Sequence, residues 1–213
     1  DNIPGPSEAM AWYDGPALLE HLEAVPVSHR PGSAPFRMAV QWVNRPNAGF
    51  RGYAGRITSG TERRGHAVSV LPSGQSARIE RIVTFDADLD QAIGGQSVTL
   101  TFDQEIDCSR GDLIVDESVR PALADNLSAM LVWMSNELMV PGRSYWLKMG
   151  ARTVSATVET VEHVVDVNAV AKGDARPLAL NDIGRCVLRL DRLVPALTYG
   201  EDRGLGGFIL IDK

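Results

Sequence analysis

The sequence predicts an all-β chain: two consecutive small antiparallel β-barrels preceded by one short helix. Three observations predict it. Short apolar runs separated by turn clusters recur from Ala34 to the last residues, no sustained helical period appears beyond the N-terminal segment, and the pattern lapses once, between Asp116 and Asp125, with Pro121 inside the lapse. A closed barrel is favoured over an open sheet because closure removes exposed strand edges.

Residues 1–33 read as a linker and one helix. Pro4, Gly5, Pro6 and Ser7 supply turn chemistry without an apolar period, so residues 1–11 are a linker. Asp14 or Gly15 can cap the helix that follows, and Pro16 suits its first turn because the N–H it lacks would be unpaired there. Leu18, Leu19 and Leu22 share a face, and Pro26 ends the helix.

Residues 34–117 form the first barrel, with strands predicted at 38–43, 53–57, 67–71, 77–85, 98–102 and 113–115. Turns fall at Pro46-Asn47-Ala48-Gly49, Pro72-Ser73-Gly74 and Gly94-Gly95. Residues 118–213 form the second, with strands at 127–134, 144–149, 152–161, 164–170, 187–193 and 208–211. Val154, Ala156 and Val158 alternate with Ser155 and Thr157, as a half-buried strand requires, and only Leu178 to Ile183 offers another helical turn. No residue-level repeat relates the two halves.

Composition narrows the function classes. A chain of 213 residues that is 44% hydrophobic can bury the cores of two small domains. With net charge -6, and eighteen arginines to three lysines, it has no excess positive field to hold a phosphate backbone, so nucleic acid is disfavoured as a partner. No basic stretch leads into an apolar one at the start, and no apolar run approaches about 18 residues, so neither a signal peptide nor a membrane-spanning helix is predicted. Cys108 and Cys186 lie far apart in strand-like surroundings and read as reduced core thiols of a cytoplasmic protein.

No catalytic, cofactor-binding or metal-binding residue emerges. Lys148, Lys172 and Lys213 do not follow a glycine, which excludes the phosphate-binding loop G-x-x-x-x-G-K-[ST]. Asp86-Ala87-Asp88-Leu89-Asp90 begins like a calcium loop but carries Gln91 at position six and Ser97 at position twelve, so it reads as a solvated loop. Arg110-Gly111-Asp112 reads as a turn entering Leu113-Ile114-Val115. His21, His29, His66 and His163 have no i,i+4 partner or neighbouring cysteine at a metal-ligand spacing, and Ser28 beside His29 sits in a proline-flanked linker. Trp42, Trp133, Trp146, Tyr53 and Phe50 read as core or interface aromatics ahead of a base-stacking platform. Arg45, Arg51, Arg56, Arg63 and Arg64 form the one candidate basic patch, by default a solvated or subunit-docking face.

Three stretches carry a family resemblance. The first is Pro35-Phe36-Arg37, Gln41-Trp42-Val43-Asn44-Arg45-Pro46-Asn47 and Phe50-Arg51-Gly52-Tyr53-Ala54-Gly55. The second runs from Val70-Leu71-Pro72-Ser73-Gly74 through Arg81-Ile82-Val83-Thr84-Phe85-Asp86 to Glu105-Ile106-Asp107-Cys108-Ser109-Arg110-Gly111-Asp112. The third joins Leu131-Val132-Trp133-Met134 and Pro141-Gly142-Arg143-Ser144-Tyr145-Trp146-Leu147-Lys148 to Gly207-Phe208-Ile209-Leu210-Ile211-Asp212. Together they resemble the GTP-binding large subunit of bacterial sulfate adenylyltransferase; elongation factor Tu and its relatives share the architecture but not this wording. Trp12-Tyr13-Asp14-Gly15-Pro16-Ala17-Leu18-Leu19-Glu20-His21-Leu22-Glu23 likewise resembles the exit from a GTPase domain.

The resemblance implies a three-domain parent, a G domain followed by barrels of the elongation factor Tu domain II and III type. GTP and magnesium are then expected in the G domain, with no cofactor in this chain. Its partners would be the parent's own G domain and the catalytic small subunit, which makes adenylyl sulfate from ATP and sulfate in sulfate assimilation. The chain alone would be inactive. In a bifunctional parent an adenylyl-sulfate kinase domain would follow Lys213. Leu193-Val194-Pro195-Ala196-Leu197-Thr198-Tyr199 departs from the family wording, and such proteins run on past the position of Lys213, which leaves the second barrel expected to be unclosed. The alternatives are the tRNA- or ribosome-binding barrels of a translational GTPase and a free-standing interaction module.

Overall fold

The computed structural model describes residues 2–25, 34–47, 49–166 and 171–213. The chain divides into a small unit, Asp1–Arg30, and a large one, Pro31–Lys213.

In the small unit a 3₁₀ turn, Glu8–Met10, interrupts the expected linker, and the helix α1 spans Leu18–Ala24. It starts later than a cap at Asp14 or Gly15 would place it. Its N-cap is Ala17, without a side-chain bond; the Leu18 and Leu19 amides instead donate to the carbonyls of Asn2 and Ile3, at 2.8 and 3.0 Å. Main-chain acceptors thus satisfy two of the amides that every helix start leaves open. Leu18, Leu19 and Leu22 are exposed, so the face that they share is not a core face. Pro26 lies outside the described residues.

Among its described residues the large unit contains fifteen strands. The first nine are β1 (Arg37–Asn47), β2 (Phe50–Ser59), β3 (Thr61–Arg63), β4 (Ala67–Leu71), β5 (Gln75–Val83), β6 (Asp88–Leu89), β7 (Gln91–Ile93), β8 (Ser97–Phe102) and β9 (Leu113–Asp116). They pair antiparallel in the order β4-β9-β1-β2-β8-β5, and β4 pairs with β5 to close the ring. Closure leaves β6 as an appendage on β5, while β3 and β7 form a separate ribbon. Met38, Val40, Ile57, Val68, Ile79, Leu100 and Ile114 fill the interior.

Alternation along β1 would bring Trp42 inward after Met38 and Val40. A register shift between Val40 and Trp42 turns it out instead, leaving Trp42 61% exposed. An extra residue in one strand reverses the side-chain parity beyond it. Trp42 is therefore not a core residue. Phe85, expected at the end of a strand, also lies outside it, fully exposed in the turn after β5.

The remaining strands are β10 (Leu123–Val132), β11 (Ser144–Met149), β12 (Arg152–Asp166), β13 (Ala171–Lys172), β14 (Ile183–Pro195) and β15 (Ile209–Ile211). The sheet order is β10-β14-β12-β11-β15, with β13 beside β12. The two strands expected at 152–161 and 164–170 are one continuous strand up to Asp166. Its ladder with β14 absorbs the interruption in two register shifts, between Val158 and Thr160 and between Val161 and His163; residues 167–170 lie outside the described residues. Leu178 to Ile183 is not helical. Asn181 adopts a φ of 68°, and the Asp182 carboxylate accepts from the Ala179 amide at 2.7 Å, which makes a turn into β14.

Among the described residues no strand pairs with the outer edges of β10 and β15. Between them runs a groove of about 1220 Å³ whose walls include Leu127, Leu131, Trp133, Tyr145, Phe208 and Leu210. The Tyr145 hydroxyl is buried beside it without a hydrogen-bond partner among the described residues.

Candidate functional site at the junction of the two barrels

Strands β4 and β9 are buried on both faces. Val68, Val70 and Ile114 point into the first barrel, whereas Leu71, Leu113 and Val115 join Leu205, with Ala39, Leu123 and Leu197 packed alongside, in a separate apolar cluster. Leu197 and Leu205 come from the loop between β14 and β15, so this cluster is a core shared between the barrels. Apolar area removed from water on both sides of a strand is what makes such a junction stiff.

A polar contact accompanies it. Arg152, the first residue of β12, donates from Nε to the Gly111 carbonyl at 2.9 Å and from Nη2 to the Asp112 carboxylate at 2.5 Å. Both side chains are largely buried. Burial pushes the Asp112 carboxyl up from the ordinary value, against the Ser109 amide and the Arg152 charge, which pull it down. Gly111 has a φ of 92°, and an added Cβ there would lie 3.1 Å from the Arg152 Cα, so the turn needs glycine for conformation and for close approach.

The loop that delivers Leu205 is folded on itself. Thr198 and Glu201 form a capping box: the Thr198 amide and hydroxyl donate to the Glu201 carboxylate at 2.9 and 2.8 Å, and the Glu201 amide donates back to the Thr198 hydroxyl at 3.3 Å. Asp202 Oδ1 accepts from the Gly204 and Leu205 amides at 3.0 and 3.1 Å. The Gly206 amide donates to the Asp202 carbonyl at 2.7 Å, and a Cβ on Gly206 would come within 2.5 Å of the Thr198 carbonyl group. The loop therefore presents Leu205 in one conformation.

The residues singled out in the sequence are dispersed. Asp112 of Arg110-Gly111-Asp112 is engaged by Arg152 and so is not presented as a free tripeptide. Asp88 pairs bidentately with Arg81, and Asp88–Leu89 and Gln91–Ile93 are short strands, so the segment expected as a solvated loop is partly sheet. Arg56 and Arg64 donate to the carbonyls of Gly95 and Glu80, and Arg51 lies 5.7 Å from the centre of the Tyr53 ring, while Arg45 and Arg63 of the expected patch are exposed. Tyr53 stacks on Phe102 at 4.9 Å in the first core. Trp133 meets Tyr145 edge-on at 5.7 Å in the second, and Trp146 is partly exposed beneath Lys213.

His66 corrects the expectation that no histidine has an i,i+4 partner: its Nδ1 lies 2.7 Å from an oxygen of Glu62. Glu62 is 2% exposed, and burial raises its carboxyl against the Arg63 amide and His66, which lower it. The spacing was visible in the sequence, but nothing local marked Glu62 as buried. Among the described residues no three His, Cys, Asp or Glu side chains gather as a metal site. His29 and Ser28 lie outside those residues. Cys108 and Cys186 are free and buried, and burial pushes their thiols up to about 12 and about 11.

Residues 126–213 match a family described as GTP-eEF1A C-terminal domain-like. Over all 213 residues the chain is 46% identical to sulfate adenylyltransferase subunit 1 of Aeromonas hydrophila and 45% identical to the bifunctional enzyme CysN/CysC of Xylella fastidiosa. It spans 45% and 34% of the lengths of those proteins. A solved structure of sup35 complexed with GDP superposes on the whole chain with a TM-score of 0.79 at 19% identity, covering 53% of that chain, a likeness of fold. Along its whole length the chain is thus a homologue of sulfate adenylyltransferase subunit 1 and of CysN/CysC, matching less than half the length of those proteins.

Proposed function

We propose that the chain is the barrel pair of a GTP-driven sulfate adenylyltransferase, bracing a G domain and passing its nucleotide state to the catalytic small subunit. The observation that carries this reading is the 46% identity to subunit 1 of that enzyme across the full chain. The parent reaction joins sulfate to the AMP of ATP and releases pyrophosphate. Its mixed anhydride product lies uphill, and GTP hydrolysis in the G domain, with magnesium, supplies the drive.

The barrels contribute mechanics. A γ-phosphate orders switch segments of a G domain, and attached bodies reorient in response. A barrel pair joined by its own apolar core and by the Arg152–Asp112 pair transmits such a rotation as one body instead of absorbing it. No lysine in the chain follows a glycine, so the chain alone is expected to hydrolyse no nucleotide. Sulfate assimilation toward cysteine places the parent in the cytoplasm.

The test compares the complete large subunit with its G domain expressed without the barrels, each mixed with the small subunit, and measures adenylyl sulfate formed per GTP hydrolysed. Loss of coupling without the barrels is expected; full coupling by the G domain alone refutes the reading. Binding of tRNA with a salt-dependent shift would instead favour a translational role.

A further inference from the structure

Arg37, the first residue of β1, is only 7% exposed, and its Nε is buried without a hydrogen-bond partner among the described residues. A guanidinium cannot shed its charge, so a buried one requires anionic compensation. Arg37 pairs in register with Ser59 of β2, and Thr58, the residue before, donates its hydroxyl to the Arg37 carbonyl at 3.2 Å. The Thr58 methyl group lies 3.7 Å from where a Cβ on Gly204 would stand, which brings the loop between β14 and β15 to this corner of the first barrel.

That loop carries two adjacent carboxylates. Glu201 is held below the ordinary carboxylate range first by its hydrogen bonds from Thr198 and further by the charge of Arg37. Asp202 is 8% exposed; its Oδ1 caps the Gly204 and Leu205 amides, while its Oδ2 is buried and unpartnered. Among the described residues, a buried guanidinium whose Nε has no partner on one barrel and a buried carboxylate oxygen without a partner on the other thus lie at the two sides of this corner.

We propose that Arg37 and the acidic pair Glu201–Asp202 form a charge latch that fixes the loop of the second barrel onto the first. The loop's capping box and glycine-tight closure set the carboxylates in place, Leu205 anchors apolar surface beside them, and Arg37 supplies the countercharge. The latch joins the start of β1 to the loop between β14 and β15, and the Arg152–Asp112 pair joins the turn before β9 to the start of β12, so together they restrain rotation as well as separation. For its consequence in the parent enzyme this inference rests on the bracing function proposed above.

A double-mutant cycle on the whole chain tests it by urea denaturation. Arg37→Met keeps the aliphatic stem and removes the charge, and Asp202→Asn keeps the Oδ1 acceptor and removes the charge. Each is expected to raise the unfolding equilibrium constant, and the double variant to fall short of the product of the two effects by about tenfold. Effects that simply multiply overturn the latch. Should Arg37→Met not fold, Arg37→Lys with Asp202→Asn and Glu201→Gln completes the test: the lysine variant must respond to loss of either carboxylate, and indifference to both overturns the proposal. Coupling in the cycle combined with unchanged adenylyl sulfate yield per GTP in the parent enzyme would leave the latch standing and remove the bracing reading.

Discussion

The Arg152 guanidinium of the second barrel closes on the Asp112 carboxylate of the first at 2.5 Å while its Nε holds the neighbouring Gly111 carbonyl. One side chain thereby binds both the charge and the backbone of a turn forty residues away in sequence. Arginine suits this task because its planar fork presents several donors at once, which a lysine ammonium cannot reproduce.

Arg152→Met is expected to destabilise the chain by about 3 kcal/mol, because Asp112 stays buried without its cation. Adding Asp112→Asn to that variant should recover part of the loss. Urea denaturation of both single variants and the double variant measures this, and a double variant as unstable as the sum of the singles would contradict the pairing.

Glu62 links stability to pH. Its carboxyl is raised in the fold, so it contributes stability that is present below the ordinary unfolded carboxyl value and lost as pH rises through the raised folded value. Glu62→Gln removes that titration. Thermal melting from pH 4 to pH 7 should show the variant gaining on the wild type as pH rises, and parallel curves would count against a raised Glu62.

The cysteines should be silent in the folded chain. Thiols pushed up to about 12 and about 11 by burial carry almost no thiolate at pH 8. A disulfide reagent should therefore label neither Cys108 nor Cys186 until denaturant is added, and then both; prompt labelling of either would show that its site opens.

The groove beside β10 and β15 exposes strand edges unpaired among the described residues, together with apolar side chains such as Met130, Val132 and Ile209. Such edges recruit other strands. The chain of 213 residues should bind a hydrophobic dye and self-associate with concentration, and Val132→Lys should reduce both in light scattering and dye fluorescence. Unaltered association in the variant would place the sticky surface elsewhere.

Much of the sheet was legible because alternation is local. Val154, Ala156 and Val158 are inward wherever β12 pairs, and the runs at 67–71 and 144–149 coincide with β4 and β11. Where the period breaks, local reading fails. The register shift that turns Trp42 outward and those that carry β12 through Glu162 are set by the partner strand, since a bulge is a mismatch between two strands and neither alone contains it. The start of α1 escaped for a similar reason, its amides being met by the Asn2 and Ile3 carbonyls instead of a side-chain cap.

The sequence by itself determined an all-β chain of two barrel-sized halves, with no phosphate-binding loop and with wording close enough to one family to be read directly. Those properties live in composition, in period-two patterning and in short motifs, all of which survive without a fold. Only the tertiary structure decided that β4 and β9 are covered on their outer faces by Leu205, that Glu62 is buried against His66, and that Arg152 meets Asp112. The physical reason is that burial and charge compensation are relations between surfaces far apart along the chain, and a residue's type alone does not say which surface it will face.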